Sequence, residues 1–482
     1  MKILHISAEC YPAAKAGGLG DVVGALPKYL NHLGLHTAVI IPKYSTKWIL
    51  AQSFKTLYSS ELTSYTGTVP FSIQQLEDSQ LGFELYVVDI PGRFDRPGIY
   101  LDGNGEAYED EQIRAINFQE AVLNWVLQLD KKPEILHCHD HHTGFIPFLI
   151  KHSLPYRELK DIPNVFTIHN GEYHGAFGWG KSYMLPPFES AAKGLLDWSG
   201  GINPLATGIK CCWKLTTVSP GYMEELRNDS NGLEWLFNHE TSKAKGILNG
   251  IDTQVWDPAT DPLIHFNLKS SIASYKSKNK AKLLEQFNVE KGLPLITFIG
   301  RLVTEKGADM LPELIDRFLQ SGGKATFVLL GTGDPSLHQI FEDMRSRHAP
   351  HFDARLEYNE ALAHQLYAGS DFLIMPSRVE PCGLNQLYAL RYGTVPIVRS
   401  VGGLKDTIID LDEKGNGSGI RFDHFSVSSG FTAVSRAVAF YNNKKQFATI
   451  RKNIMGLDYS WEQSAKAYSK IYRSLSTHTY DY

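Results

Sequence analysis

Short apolar runs, each closing on a polar or glycine-bearing turn, recur along the whole chain. In the first half they are Lys2–Ser7, Thr37–Pro42, Glu84–Val88, Glu134–His137, Val165–His169 and Leu215–Val218. In the second half they are Leu295–Ile299, Ala325–Leu330, Arg355–Tyr358, Phe372–Met375 and Val395–Val398. Runs that are apolar throughout, rather than alternating, suit parallel strands covered on both faces. Between them apolar residues recur at helical spacing, as in Val22, Val23, Leu26, Tyr29, Leu30 and Leu33, or Met310, Leu311, Leu314, Ile315 and Phe318. The rhythm strand, turn, helix, strand is that of an α/β protein with doubly wound parallel sheets.

A chain of 482 residues is too long for one hydrophobic core. The pattern changes near residue 250, where Asn249-Gly250-Ile251-Asp252 leads into a polar, lysine-rich stretch before the strands resume. The expected organisation is two Rossmann-like domains, residues 1–247 and 248–458, with a terminal helix over 459–482 packing back on the first. Lys276, Lys278, Lys280 and Lys282 read as a solvated helix or linker. Ser460 and Gln463 fit a capping box, and Trp461, Ala465, Tyr468 and Tyr472 share one face of the helix that follows.

A net charge of −4 argues against a dedicated nucleic-acid binder. The five cysteines, at 10, 138, 211, 212 and 382, contain no CxxC pair, so neither a disulfide framework nor a structural zinc site is indicated. No run approaches a membrane span, and the first residues lack the apolar core of a signal peptide. A cytoplasmic protein without membrane contact is expected; the oligomeric state is not legible.

Chemistry is expected at the turns after strands, where open α/β sheets bind ligands. Lys15-Ala16-Gly17-Gly18-Leu19 offers bare backbone and a helix start to an anion, or is an ordinary tight turn. It is not GxGxxG, so a nicotinamide or flavin fingerprint is absent. Arg301 and Lys306 lie five residues apart after a strand and suit a diphosphate; the bland alternative is a surface pair with Glu305. Glu380, followed by Cys382, Gly383 and Leu384, sits at another strand-to-helix turn, and Gly402-Gly403-Leu404 opens a second close by. His137, His139 and His141 would share a face if the strand ran on; metal binding, sugar contact and packing are all open there. His169-Asn170 suits a polyhydroxylated ligand or a turn. Cys382 lacks an obvious activating neighbour, so packing is favoured over a nucleophile. Cys211-Cys212 reads as helical core.

Taken together, Lys15-Ala16-Gly17-Gly18-Leu19-Gly20-Asp21-Val22, His139-Asp140, Thr167-Ile168-His169-Asn170, Thr217-Val218-Ser219-Pro220, Asn249-Gly250-Ile251-Asp252, Gly300-Arg301-Leu302 with Lys306-Gly307, Pro376-Ser377-Arg378 through Tyr392-Gly393-Thr394, and Gly402–Thr407 resemble the bacterial glycogen synthase and plant starch synthase family. The resemblance runs from the first strand to the last helix. It implies a GT-B type fold, two Rossmann-like domains facing across a cleft. It also implies transfer of glucose from ADP-glucose to the non-reducing end of an α-1,4-glucan, with retention and without a cofactor or metal. The alternatives are a UDP-glucose or short-acceptor glucosyltransferase, or a non-catalytic sugar-nucleotide or glucan-binding homologue. By position, the resemblance assigns Lys15, Gly17 and Gly18 to the donor diphosphate, with Arg301 and Lys306 clamping it. Tyr358 would stack on adenine, with Asn249 and Asp21 nearby. Glu380 and the backbone of Cys382, Gly383 and Leu384 would hold the glucosyl hydroxyls; His169, Asp140 and Asn170 would stand beside the reacting sugar and the acceptor. His141, Asn170–Gly175 and Asn203–Gly208 depart from the family pattern, on the side where it places the acceptor.

Overall fold

The computed structural model describes residues 1–64, 67–103, 105–413 and 417–476. The chain forms two compact units: residues 1–218, 223–248 and the tail from 461 make the first, and residues 219–222 and 249–460 the second.

The first unit is built on nine strands: β1 (Lys2–Ile6), β2 (His36–Pro42), β3 (Phe54–Ser64), β4 (Gly67–Leu76), β5 (Glu84–Asp89), β6 (Ile135–His139), β7 (Asn164–Ile168), and, beyond a small β8 (Asp197–Trp198) and β9 (Gly201–Ile202) pair, β10 (Lys214–Thr217) and β11 (Ala244–Gly246). Their order is β11-β10-β7-β6-β1-β2-β5-β4-β3. All neighbours are parallel except β3–β4 and β4–β5. The strand order reverses between β1 and β6, so the turns after these two strands diverge and leave a crevice at their carboxyl ends. The sequence pattern did not anticipate the β3–β4 hairpin. Its residues are largely polar and part-exposed, so no continuous apolar run marks them.

The helix Trp461–Ser476 joins this unit. Trp461, Ala465, Tyr468, Ile471, Tyr472 and Leu475 are buried with Val22, Leu26 and Tyr29 of the helix Gly18–His32 and with Ile135. Ser464 Oγ donates to Leu248 O at 2.6 Å. The expected capping box does not form: Ser460 N–H donates to Asp458, and the buried Ser460 Oγ has no partner. An Asx turn one step upstream has taken the donor that Gln463 would have accepted from.

The second unit carries six parallel strands, β12 (Leu295–Ile299), β13 (Thr326–Leu330), β14 (Phe352–Arg355), β15 (Phe372–Met375), β16 (Val395–Arg399) and β17 (Ile420–Phe422), in the order β14-β13-β12-β15-β16-β17. Here the order reverses between β12 and β15. Strand β14 ends three residues earlier than expected, which leaves Tyr358 in the following loop, 83% exposed.

The lysine-rich stretch is not a solvated face. On the helix Ile272–Leu283, Lys276 is buried and donates to Tyr367 O (3.0 Å), Tyr392 O (3.2 Å) and Thr394 Oγ1 (2.8 Å). Lys280, one turn on, pairs with buried Asp371 at 2.6 Å. Positions i and i+4 share a face, so two of the four lysines point at carbonyl ends and a carboxylate that need donors.

Candidate active site

In the first unit, β1 runs into a turn that opens the helix Gly18–His32 with Gly17 as N-cap. A Cβ added to Gly17 or Gly18 would meet nothing within 4 Å, and Gly17 has an ordinary extended φ of −147°. Neither packing nor backbone strain therefore requires these glycines; what they provide is bare backbone that an outside group can approach. The anion seat of this helix start is partly filled from within. Glu9, buried, accepts from Ala16 N–H at 2.6 Å and Gly17 N–H at 2.9 Å through Oε2, while Tyr100 donates to Oε1 at 2.6 Å. Glu9 escaped the sequence reading, because a single acid eight residues upstream carries no local signal. Lys15 Nζ pairs with Asp21 Oδ1 at 2.6 Å. Burial holds the Asp21 carboxyl above the usual range, against the pull of Lys15.

Strand β6 ends at His139, and Asp140 turns the chain with φ 56° and ψ 179°. A non-glycine residue held there costs about 1–3 kcal/mol and persists only where its surroundings fix it. Asp140 Oδ1 accepts from His169 N–H at 2.7 Å and Asn170 N–H at 3.4 Å, tying the end of β6 to the end of β7. Burial pushes its carboxyl up to about 7; the two backbone donors oppose this and the Glu9 charge adds to it. Asn170 Oδ1 accepts from Glu172 N–H, so that polar pair includes an Asx turn. His141 is not on the strand with His137 and His139 but in the 3-10 turn His141–Thr143.

Three imidazoles, His5, His137 and His139, each offer a nitrogen within 4.8 Å of the others, the spacing of a metal site. Their hydrogen bonds account for them otherwise. His137 spends both nitrogens, on Tyr472 OH (2.7 Å) and Thr167 Oγ1 (2.6 Å). His139 spends both, on His5 Nδ1 (3.1 Å) and His169 Nε2 (3.0 Å). Only His5 Nε2 is uncommitted, too few free donors for a cation.

In the second unit, the turns after β12 and β15 meet at the strand-order reversal. Lys306 Nζ lies 2.7 Å from both oxygens of Glu380, and Ser377 Oγ donates to Oε2 at 3.1 Å. Glu380 is buried; Lys306 is part-exposed. The partner of Lys306 is thus a carboxylate from the next strand, not Glu305. Arg301 is exposed and makes no ion pair among the described residues. Arg378 N–H donates to Glu305 O at 2.8 Å, and its guanidinium grips Asp309 and Thr304 O, lacing the two turns together. Gly307 has φ 68°, and a Cβ there would lie 2.1 Å from Pro376 O, so only glycine lets the turns close.

Behind Glu380, Gly383 takes φ 74° and the helix Asn385–Arg391 begins. Gln386 Nε2 donates to Cys382 O and Gly383 O. Cys382 is buried and its thiol pushed up to about 12, chiefly by burial, which removes nucleophile character. Asn249 is buried beside it, with Oδ1 lacking a partner. Within this unit the fold therefore gathers Arg301, Lys306, Glu380, Cys382, Gly383, Leu384 and Asn249; Tyr358, beyond the edge strand β14, is not gathered with them. Within the first unit it gathers Lys15, Gly17, Gly18 and Asp21 after β1, and Asp140, His169 and Asn170 after β6 and β7.

Known proteins match this organisation. Residues 2–239 match the family model described as starch synthase catalytic domain, and residues 279–425 that of glycosyl transferases group 1. The chain is 45% identical to a glycogen synthase of Flavobacterium johnsoniae over 98% of both chains, and 35% identical to one of Alkaliphilus metalliredigens over 98% of this chain and all of that one. Among solved structures, it resembles the catalytic domain of starch synthase IV from Arabidopsis thaliana bound to ADP and acarbose (TM-score 0.86, 31% identity, 98% and 99% coverage). A sucrose-phosphate synthase from Thermosynechococcus elongatus shares the fold (TM-score 0.63, 16% identity, 99% of both chains). With these matches, the two Rossmann-like units, each with polar groups at the point where its strand order reverses, are those of a glycosyltransferase of the GT-B type. Within that class, the chain belongs to the glycogen and starch synthase family.

Proposed function

We propose that this glycosyltransferase moves glucose from ADP-glucose to the non-reducing end of an α-1,4-glucan with retention of configuration. The observation that carries the reading is the Lys306–Glu380 pair at the β12/β15 reversal, with Arg301 exposed on the turn after β12 and in no ion pair among the described residues. Breaking the glucosyl–phosphate bond builds negative charge on ADP and positive charge on the sugar. Fixed cations stabilise the departing diphosphate because they need no reorganisation when that charge appears. Lys306 supplies a point charge and Arg301 a two-pronged donor. Glu380 has both oxygens engaged by Lys306, which suits orienting Lys306 and a sugar hydroxyl better than covalent attack. The backbone of Cys382, Gly383 and Leu384 then holds glucosyl hydroxyls, and the unpartnered Asn249 Oδ1 is one acceptor for the donor. ADP in the starch synthase IV structure supports an adenosine donor, with Tyr358 as the exposed ring for the base.

In the first unit, Lys15, Asp21 and the bare backbone of Gly17 and Gly18 serve donor binding. His169, Asp140 and Asn170 serve the reacting sugar and the acceptor. No described helix is long and apolar enough to cross a membrane; the reading places the enzyme in the cytoplasm, on a soluble sugar nucleotide. The test is transfer from labelled ADP-glucose or UDP-glucose to glycogen, maltooligosaccharides or short acceptors. Elongation with ADP-glucose preferred supports the proposal. Preference for UDP-glucose or a short acceptor replaces it with that enzyme, and binding without transfer to any acceptor replaces it with a non-catalytic homologue.

A further inference from the structure

His169 ends a line of three imidazoles that runs under the sheet. His5 is on β1 and His139 on the neighbouring β6; His169 follows β7, the next strand. His5 Nδ1 lies 3.1 Å from His139 Nε2, and His139 Nδ1 lies 3.0 Å from His169 Nε2. His5 and His139 have no exposed surface, and His169 is nearly covered. Burial keeps all three neutral at physiological pH: His5 and His169 are pushed down to about 3, and His139 well below its ordinary value.

The neighbours that could disturb this line are identifiable. His137 stacks on His139 with ring centres 4.2 Å apart and lies tilted against His5 at 4.6 Å, but its nitrogens are committed to Tyr472 and Thr167. Asp140 reaches His169 only through the backbone N–H, and Glu9 lies beyond it as a charge felt by Asp140.

A neutral imidazole carries one N–H, so the line has two arrangements. In one, every proton sits on Nδ1. His5 then donates to His139, His139 donates to His169, and the buried His5 Nε2 is a bare lone pair. In the other, every proton sits on Nε2, and His5 Nε2–H becomes a buried donor. That nitrogen has no partner among the described residues. Orphaned buried N–H groups are rarer and costlier than under-used acceptors. The first arrangement is favoured.

We infer that His5 and His139 are positioning residues that fix His169 as its Nδ1–H tautomer, so that its free ring nitrogen meets the sugar as a hydrogen-bond donor. This rests on His169 facing substrate, as assigned above. The consequence is polarity: a donor there binds a hydroxyl or ring oxygen through its lone pair and rejects a group that can only donate.

The tautomer is read directly in the full-length protein by long-range proton–nitrogen correlation NMR with nitrogen-15 imidazole labelling. His169 is assigned by the pattern that vanishes in His169→Gln. The expected pattern has Nδ1 in the protonated range and Nε2 in the unprotonated range from pH 6.5 to 8. The reverse pattern, or an average of the two, overturns the inference. His139→Leu supplies a second reading. Freed from its partner, His169 should show averaged tautomers, with kcat down roughly tenfold, the worth of one hydrogen bond, and KM for the donor little changed. An unaveraged Nδ1–H pattern in a folded His139→Leu protein overturns the positioning role. If glucan transfer fails but the tautomer is as stated, the functional reading falls and the imidazole line stands. If transfer succeeds and the tautomer is reversed, only this inference falls.

Discussion

Lowering the pH from 7 to 5.5 should loosen the first unit well before it touches the second. His5, His137, His139 and His169 are buried and held neutral, with pKa values far below the ordinary one because burial penalises the cation. Unfolded, each titrates near 6.5. Below that pH the unfolded chain binds protons that the folded one does not, so stability is full above about 6.5 and falls with falling pH. Each loses a little over about 1 kcal/mol between pH 7 and 5.5, roughly 5 kcal/mol for four. Two buried carboxyls act oppositely. Asp140 and Glu120, pushed up to about 7 by burial, bind protons in the folded state first and return about 3 kcal/mol together over the same interval. From these six groups the net loss is about 2 kcal/mol; half-buried His141, His142 and His174, also lowered, add to it, and Asp21, raised by burial, offsets part of it. Hydrogen exchange by mass spectrometry on the full chain, corrected for intrinsic rates, separates the units. Peptides from β1, β6 and β7 should exchange about 30-fold faster at pH 5.5 than at pH 7. Peptides from β12 and β15 should change little: Asp261, Asp353, Asp371 and Asp410 of that unit are lowered and lose their stabilisation only as pH falls below about 4, while Asp406, raised by burial, acts the opposite way. Unchanged or increased protection of β6 and β7 at pH 5.5 would refute neutral burial of the imidazoles.

Other perturbations have distinct signatures. Lys306→Ala and Glu380→Gln should each lower kcat/KM for the donor by roughly 100-fold or more, with circular dichroism unchanged; near-normal rates in both would remove the site assignment. Lys276→Met takes a donor from Tyr392 O, from the Thr394 hydroxyl oxygen and from Tyr367 O, which keeps only Thr394 Oγ1, and should cost about 3 kcal/mol in urea denaturation of the second unit. Gly17→Ala should leave stability within about 0.5 kcal/mol, since the added methyl meets nothing, yet weaken donor binding at least about tenfold. By contrast, the methyl of Gly403→Ala would lie 2.0 Å from Cys382 O, and about 3 kcal/mol should be lost. Equal melting temperatures for the two alanine variants would contradict both.

The fold was legible wherever a strand is covered on both faces, because such strands must be apolar end to end. Leu295–Ile299 and Phe372–Met375 fall where their apolar runs predict. The β3–β4 hairpin was illegible for the converse reason: part-exposed strands of Ser, Thr and Gln read as loop. Lys276 misled because charge patterning assumes solvent on all sides, and only the folded second unit reveals the carbonyls that hold it. At the candidate site, turns rich in glycine and charge were visible as motifs. Their internal partners were not, because Glu9 reaches Gly17 and His5 reaches His139 across 134 positions only after the strands align. Short-range pattern locates a turn; what its backbone and side chains already hold is a property of the sheet order.

The decisive measurement is initial-rate glucosyl transfer by the purified full-length chain to glycogen, with ADP-glucose and UDP-glucose as rival donors and the anomeric form of the new linkage read by proton NMR. Faster transfer from ADP-glucose, forming an α-1,4 bond, is the predicted result. Transfer confined to UDP-glucose, a β-linked product, or no transfer by a protein that binds ADP would contradict the account.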